Sequence, residues 1–166
     1  MQQAIQLRSF TEPEYHRFFK AYRQDPVMNP EPFVYSEENV SRSFVYNTQY
    51  RDHFALLGIF LGSRPVGCFQ IKRMNEGTGV CEFGIILQNE DVMNRGIGTE
   101  AIRLGQRIAA EQYGMRWMMG DTSGRNQRMQ RVFEKLGYQL IETVPQAYDM
   151  GGGQKDDRLV YMIQIG

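Results

Sequence analysis

Three apolar runs, at residues 54–61, 66–71 and 80–87, are separated by turn sequences, Gly62-Ser63-Arg64-Pro65 and Asn75-Glu76-Gly77-Thr78-Gly79. Turns this short constrain the fold strongly. Parallel neighbours need a crossover of roughly a dozen residues or more, whereas antiparallel neighbours can be joined by two to five. The three runs therefore predict an antiparallel meander.

On either side of the meander the pattern is helical or mixed. Residues 4–7 alternate as a short strand, and Thr11-Glu12-Pro13-Glu14 combines a hydroxyl cap, early acids and an early proline, which predicts a helix over 12–22. Residues 25–32 hold three prolines and read as loop; Ser36-Glu37-Glu38-Asn39 then caps a second helix reaching about Asn47. Beyond Leu87 a polar stretch leads to Gly96-Ile97-Gly98 and to a helix ending near Tyr113, with Ala101, Leu104, Ile108 and Ala109 on one face. A strand at 117–120 follows, then a helix over 126–136 that stops at Gly137, and closing strands at 139–144 and 159–165. Gly151-Gly152-Gly153 reads as a flexible loop, either a loose connection or a substrate flap. The expectation is one α+β domain over residues 1–166, with a mixed, mainly antiparallel central sheet flanked by helices.

Composition narrows the partners. Lysine and arginine together equal aspartate and glutamate, 19 each, so the basic excess of a nucleic-acid binder is missing. No stretch reaches the ~20 apolar residues that span a bilayer, and Met1-Gln2-Gln3-Ala4 lacks a basic segment leading into an apolar one, so a cytoplasmic protein with no membrane partner is expected. Cys68 and Cys81 both fall inside apolar runs and read as core thiols.

The chemistry concentrates in Asn94-Arg95-Gly96-Ile97-Gly98-Thr99. A glycine-rich loop opening a helix presents unpaired N–H groups at the positive end of the helix dipole, which favours an anion such as a pyrophosphate. Glycine lets the backbone approach the phosphate oxygens, and Arg95 adds a fixed positive charge. Gly96 to Ala101 also satisfies a dinucleotide fingerprint, with Asp121 twenty residues beyond Ala101. That fingerprint needs a strand running directly into the first glycine; here residues 88–95 intervene and hairpins precede.

Met93-Asn94-Arg95-Gly96-Ile97-Gly98, continuing as Thr99-Glu100-Ala101-Ile102, resembles the acyl-CoA loop of the GNAT acetyltransferase superfamily, departing from its pattern at Met93. Asn126 to Tyr138, ending Val132-Phe133-Glu134-Lys135-Leu136-Gly137-Tyr138, is similar to the superfamily's next helix and strand. Cys81-Glu82-Phe83-Gly84-Ile85-Ile86-Leu87 is closest in look to the ribosomal-protein N-terminal acetyltransferase type. The resemblance implies a sheet whose strands at 80–87 and 117–120 splay apart around acetyl-CoA, with Ile85, Ile86 and Leu87 facing it. It also implies cofactor contacts from Asn94, Arg95, Gly96, Ile97, Gly98, Thr99 and Asn126.

Acetylating a primary amine requires its free base, and an amine of pKa about 10.4 gives up its proton near neutrality at a cost of about 4 kcal/mol. Glu82, on the strand beside the expected thioester, is the candidate base. Where the superfamily often carries a tyrosine that protonates the departing thiolate, this chain has Phe133, which cannot donate a proton. A thiol of pKa about 8.5 loses its proton at a cost of only about 2 kcal/mol, so activity can survive the exchange. Tyr138, Tyr148 or water could replace the acid. His16 and His53 lie too far apart in sequence to suggest a metal site, and none is expected. Tyr35, Glu37, Glu38, Tyr46, Tyr148, Asp149, Asp156 and Asp157 fall where the resemblance puts the acceptor groove, for a small-molecule or peptide amine. A non-catalytic acyl-CoA-binding module and a homodimer both stay open.

Overall fold

In a computed structural model the chain is described over residues 4–93 and 95–166. Asn94, assigned above to the anion loop, lies outside the described residues. The elements in chain order are β1 (Ile5–Arg8), α1 (Glu12–Ala21), α2 (Glu37–Val45), β2 (Ala55–Leu61), β3 (Arg64–Asn75), β4 (Val80–Leu87), α3 (Ile97–Tyr113), β5 (Trp117–Ser123), α4 (Gln127–Lys135), β6 (Gln139–Gly151) and β7 (Gln154–Gln164). A single wider turn, Tyr46–Tyr50, extends α2 and closes with Arg51 N–H donating to the Tyr46 carbonyl at 2.9 Å.

The described strands form one sheet in the order β1-β2-β3-β4-β5-β7-β6. The expected meander is β2, β3 and β4, paired antiparallel. Leu61 faces Arg64, so the first turn is only Gly62-Ser63. The parallel pair is β4 with β5, and α3 supplies the crossover that such a pair requires. This settles the dinucleotide alternative against itself, because the strands leading to the glycine loop are antiparallel neighbours.

Three expectations need correcting. The strand read at 117–120 runs on through Asp121, Thr122 and Ser123, whose backbones pair with Val160, Leu159 and Arg158 of β7. The strand read at 139–144 continues to Gly151, although most of it is exposed. Gly151-Gly152-Gly153 is no loose flap: Gly151 pairs with Gln154, and Gly152 and Gly153 take φ of 60° and 77°. Two successive positive φ values are what a tight hairpin turn matched to strand twist demands, and glycine adopts them without a Cβ penalty.

Each sheet face buries its own core. Against α3 and α4 lie Ile59, Phe69, Ile71, Cys81, Phe83, Met118 and Phe133, all under 5% exposed. Against α1 and α2 lie Phe10, Tyr15, Phe18, Leu56, Phe60 and Cys68. Both cysteines are free and buried, as core thiols.

The start of α1 couples capping to pH. Thr11 Oγ1 accepts from Glu14 N–H at 3.4 Å while Glu14 accepts from Thr11 N–H at 2.9 Å, closing a capping box. Arg8 donates to the same carboxylate at 2.7 Å. The Arg8 hydrogen bonds, followed by the Thr11 N–H, hold the Glu14 carboxyl down at about 2, from 4.5. A carboxyl lowered on folding contributes stability fully above its unfolded value and loses it as the pH falls toward the folded one. Glu14→Gln is therefore expected to flatten the decline of melting temperature between pH 4.5 and 2. A variant that declines in parallel with the parent would show the pair to be energetically silent.

Candidate functional site

The sheet opens where β4 and β5 stop pairing. Val80, Cys81 and Glu82 pair with Trp117, Met118 and Met119, and no rung joins the two strands beyond Glu82. A cavity of ≈ 380 Å³ fills the gap. Phe83, Gly84, Ile85, Ile86 and Leu87 all border it. Side chains alternate across a strand, so five successive residues can line one space only when the strand's edge faces it. The unpaired edge of β4 is thus a wall of the cavity, with backbone groups available to a ligand.

One side of the cavity is built by α3 and α4. Gly98, Ile102, Asn126, Arg128, Met129 and Val132 line it there, with Met93 from the preceding loop. Gly96, at φ 76°, turns the chain into α3, and its left-handed conformation explains the glycine. Gly98 differs. A Cβ there would lie 3.8 Å from Leu87 Cδ1 and 4.0 Å from Ile85 Cδ1, ordinary contact distances. The chain's own packing does not require glycine at this position; what the missing side chain preserves is open space beside the α3 N-terminus. Thr122 Oγ1 gives a second sign of a ligand space, being buried without a hydrogen-bond partner on a residue that lines the cavity.

The opposite side belongs to the face of α1 and α2. Cys68, Gln70 and Lys72 of β3 contribute to it, with Tyr22, Gln24, Asp25 and Met28, with Asp121 of β5 and Tyr148 of β6. The cavity therefore passes through the sheet from one face to the other. Asp121 accepts from Arg158 Nε at 2.6 Å. Burial pushes the Tyr148 phenol above its usual value and the Asp121 charge pushes it further, while Arg158 opposes them. That hydroxyl keeps its proton at neutral pH.

The segment after α1 crosses between the two sides. Arg23 N–H donates to the Gln88 carbonyl at 2.8 Å, and Asp25 meets Arg128 at 3.8 Å. Asn126 caps α4 through Met129 N–H at 3.1 Å while its Nδ2 points at Met28 Sδ, 2.9 Å away. Met28 thus ties the strap to the residue that opens α4.

Of the residues singled out from sequence, Ile85, Ile86, Leu87, Gly98 and Asn126 are brought together on the cavity. Arg95 and Gly96 are exposed at the mouth of α3, whereas the Ile97 and Thr99 side chains are buried beneath it, each 8% exposed. Glu82 stands on the last rung below the gap, outside the cavity lining, with Arg73 at 3.4 Å. Phe133 is fully buried and also off the lining. Tyr138 is a core residue whose hydroxyl accepts from Gln106 at 2.9 Å. Tyr148 is the member of the acceptor set that borders the cavity. Tyr35 instead meets His16 Nδ1 at 2.7 Å, Glu38 pairs with Arg42, Asp149 accepts from Gly151 N–H, Asp156 from Arg125 N–H and Asp157 from Gln146 N–H. Sequence reading missed Met28, Gln70, Lys72 and Thr122, and gave Asp121 only a rejected dinucleotide role. Gln70 and Lys72 did leave a signal, since they alternate with core residues Phe69 and Ile71. Among the described residues no group of three or more His, Cys, Asp or Glu side chains is placed to hold a metal ion, and no helix is long and apolar enough to cross a membrane.

A family model described as the acetyltransferase (GNAT) domain matches residues 5–139. Among solved structures, RimL, a ribosomal L7/L12 alpha-N-protein acetyltransferase in complex with coenzyme A, is 18% identical, with a TM-score of 0.84 over 98% of this chain and 95% of that one. Spermidine N-acetyltransferase from Vibrio cholerae, in complex with CoA and spermine, is 13% identical, with a TM-score of 0.81 over 96% and 95%. A GNAT-family acetyltransferase from Bacillus anthracis is 18% identical, with a TM-score of 0.78 over 97% and 95%. No curated protein matches this chain.

Proposed function

Since the chain belongs to the GNAT acetyltransferase family, we propose that it transfers an acetyl group from acetyl-CoA to the primary amine of a small molecule or peptide in the cytoplasm. The observation that carries this reading is the cavity between β4 and β5, which is lined by residues from both faces of the sheet. A thioester and an amine can then enter from opposite sides and meet at the strand edge. The names of two structural relatives support the choice of cosubstrate, because both are acetyltransferases held with CoA.

The residues divide the work. The backbone N–H groups at the start of α3 and the space beside Gly98 receive the pyrophosphate, and Asn126 holds the arm that follows it. Acetyl-CoA, when bound, supplies an activated carbonyl. Unpaired N–H groups on the β4 edge are preorganised to stabilise negative charge developing on the carbonyl oxygen. Glu82, just below the gap, takes the proton of the amine through a water molecule, and the protonated Tyr148 hydroxyl supplies the proton that Phe133 cannot.

Glu82→Gln is expected to lower turnover by about a hundredfold or more while leaving acetyl-CoA affinity unchanged. The assay is release of the CoA thiol across a panel of primary amines. Full turnover in the variant would place the base elsewhere. Acetyl-CoA binding without thiol release from any amine would instead favour a non-catalytic binding module.

A further inference from the structure

On the acceptor side, each carboxylate at or beside the cavity has a guanidinium partner. Asp121 has Arg158 at 2.6 Å, Glu82 has Arg73 at 3.4 Å and Asp25 has Arg128 at 3.8 Å. Lys72 is a cation left over. It lies directly across from Glu82 in the β3–β4 register and lines the cavity, yet its ammonium enters no ion pair or hydrogen bond among the described residues. Gln70, two residues earlier on the same face and likewise lining the cavity, has no side-chain hydrogen bond among the described residues either. Gln70 lies across from Gly84 of β4, and both side chains reach over that glycine: a Cβ there would be 3.2 Å from Gln70 Oε1 and 3.8 Å from Lys72 Cε. An added Cβ would touch Lys72 at an ordinary contact distance and press the Gln70 carboxamide by a few tenths of an ångström, so glycine leaves both side chains room over this stretch of β4.

A polyamine entering this half would find its ammonium groups facing matched carboxylates and an unmatched lysine, an unfavourable exchange at short range. A carboxylate would find an ammonium and a carboxamide, donors without partners of their own. From the reading of the chain as an acyltransferase, we infer that its acceptor is a small aminocarboxylate, an amine bearing a carboxylate a few bonds away, and that Lys72 with Gln70 recognises the carboxylate. Lys72 sits one strand from the proposed base, so anchoring the carboxylate there brings the amine beside Glu82.

The test measures binding of free amino acids, of their own carboxamides and of spermidine to the CoA-saturated protein by calorimetry. At least one amino acid is expected to bind about tenfold more tightly than its carboxamide, the size expected of one hydrogen-bonded charge pair. Lys72→Gln should erase that preference without altering acetyl-CoA affinity, and Lys72→Glu should reverse it. The inference is overturned if a carboxamide or spermidine binds as tightly as every amino acid tried, if no amino acid binds, or if Lys72→Gln keeps the preference. Thiol release separates the two levels: a protein that binds acetyl-CoA and acetylates spermidine keeps the acyltransferase reading while this inference fails.

Discussion

Truncating Phe133 to alanine is expected to destabilise the chain by about 3–5 kcal/mol, lowering its melting temperature by more than 6 °C on the usual scaling for a domain of this size. The Phe133 ring is fully buried and stacks on Tyr161 with centroids 4.2 Å apart and planes at 8°. Phe83 and Tyr138 close around it at 5.8 Å and 5.0 Å. Gly120 of β5 passes so close that a Cβ there would lie 2.8 Å from Phe133 Cε1. Four aromatic rings and a strand backbone thus share one packed layer, and removal of the central ring leaves a cavity that β5 cannot close without breaking its pairing with β7. Urea denaturation measures the cost. A loss below 1 kcal/mol would mean that the site collapses around the truncation and that Phe133 does not organise this core. The same burial gives phenylalanine at this position a physical sense: the position serves the core in this chain, while Tyr148, the proton donor proposed above, borders the cavity.

Gly98→Val is expected to weaken acetyl-CoA binding by about ten- to a hundredfold without lowering the melting temperature. Two arguments point in opposite directions for stability and for binding. Glycine inside a helix costs about 1 kcal/mol relative to alanine, and a Cβ at 98 meets nothing closer than 3.8 Å, so a side chain is tolerated by the fold. It does enter the space that Gly98 leaves in the cavity wall, beside the α3 N-terminus. Glycine at a position where the fold has room for a side chain is what a bound ligand in that space would require. Calorimetry and a thermal melt on the same sample decide the matter. Equal affinity in variant and parent would remove Gly98 from the binding site, and a lowered melting temperature would show that packing, not the ligand, selects glycine.

How much of this was legible in the sequence depended on whether a feature was local. The hydroxyl cap at Thr11, the stop at Gly137 and the meander turns are set by residues within a few positions of one another, and each was readable. The ends of β5 and β6 were not. Asp121-Thr122-Ser123 are polar, and residues 145–151 open on Pro145 and run into the triple glycine, so both stretches read as loop, while their backbones are held in the sheet by β7. Pairing of that kind is a property of the partner strand. The triple glycine showed the same limit, because a hairpin turn and a loose loop use the same residue, and only the register of Gly151 with Gln154 distinguishes them. For the site, the glycine loop could be found from sequence since an anion cradle is contiguous. The acceptor side could not: Met28, Gln70, Lys72, Asp121 and Tyr148 come from four separate segments and meet only where the sheet opens. Acidic residues in late loops looked suited to an amine, but Asp149, Asp156 and Asp157 bond backbone N–H groups and hold turns together.

Whether the gap between β4 and β5 is an acyl-CoA site is tested without knowledge of the acceptor by calorimetric titration with acetyl-CoA, with NAD(H) in a parallel cell. Acetyl-CoA is expected to bind in the micromolar range and NAD(H) not at all. Binding of NAD(H) alone, or of neither, would contradict that assignment.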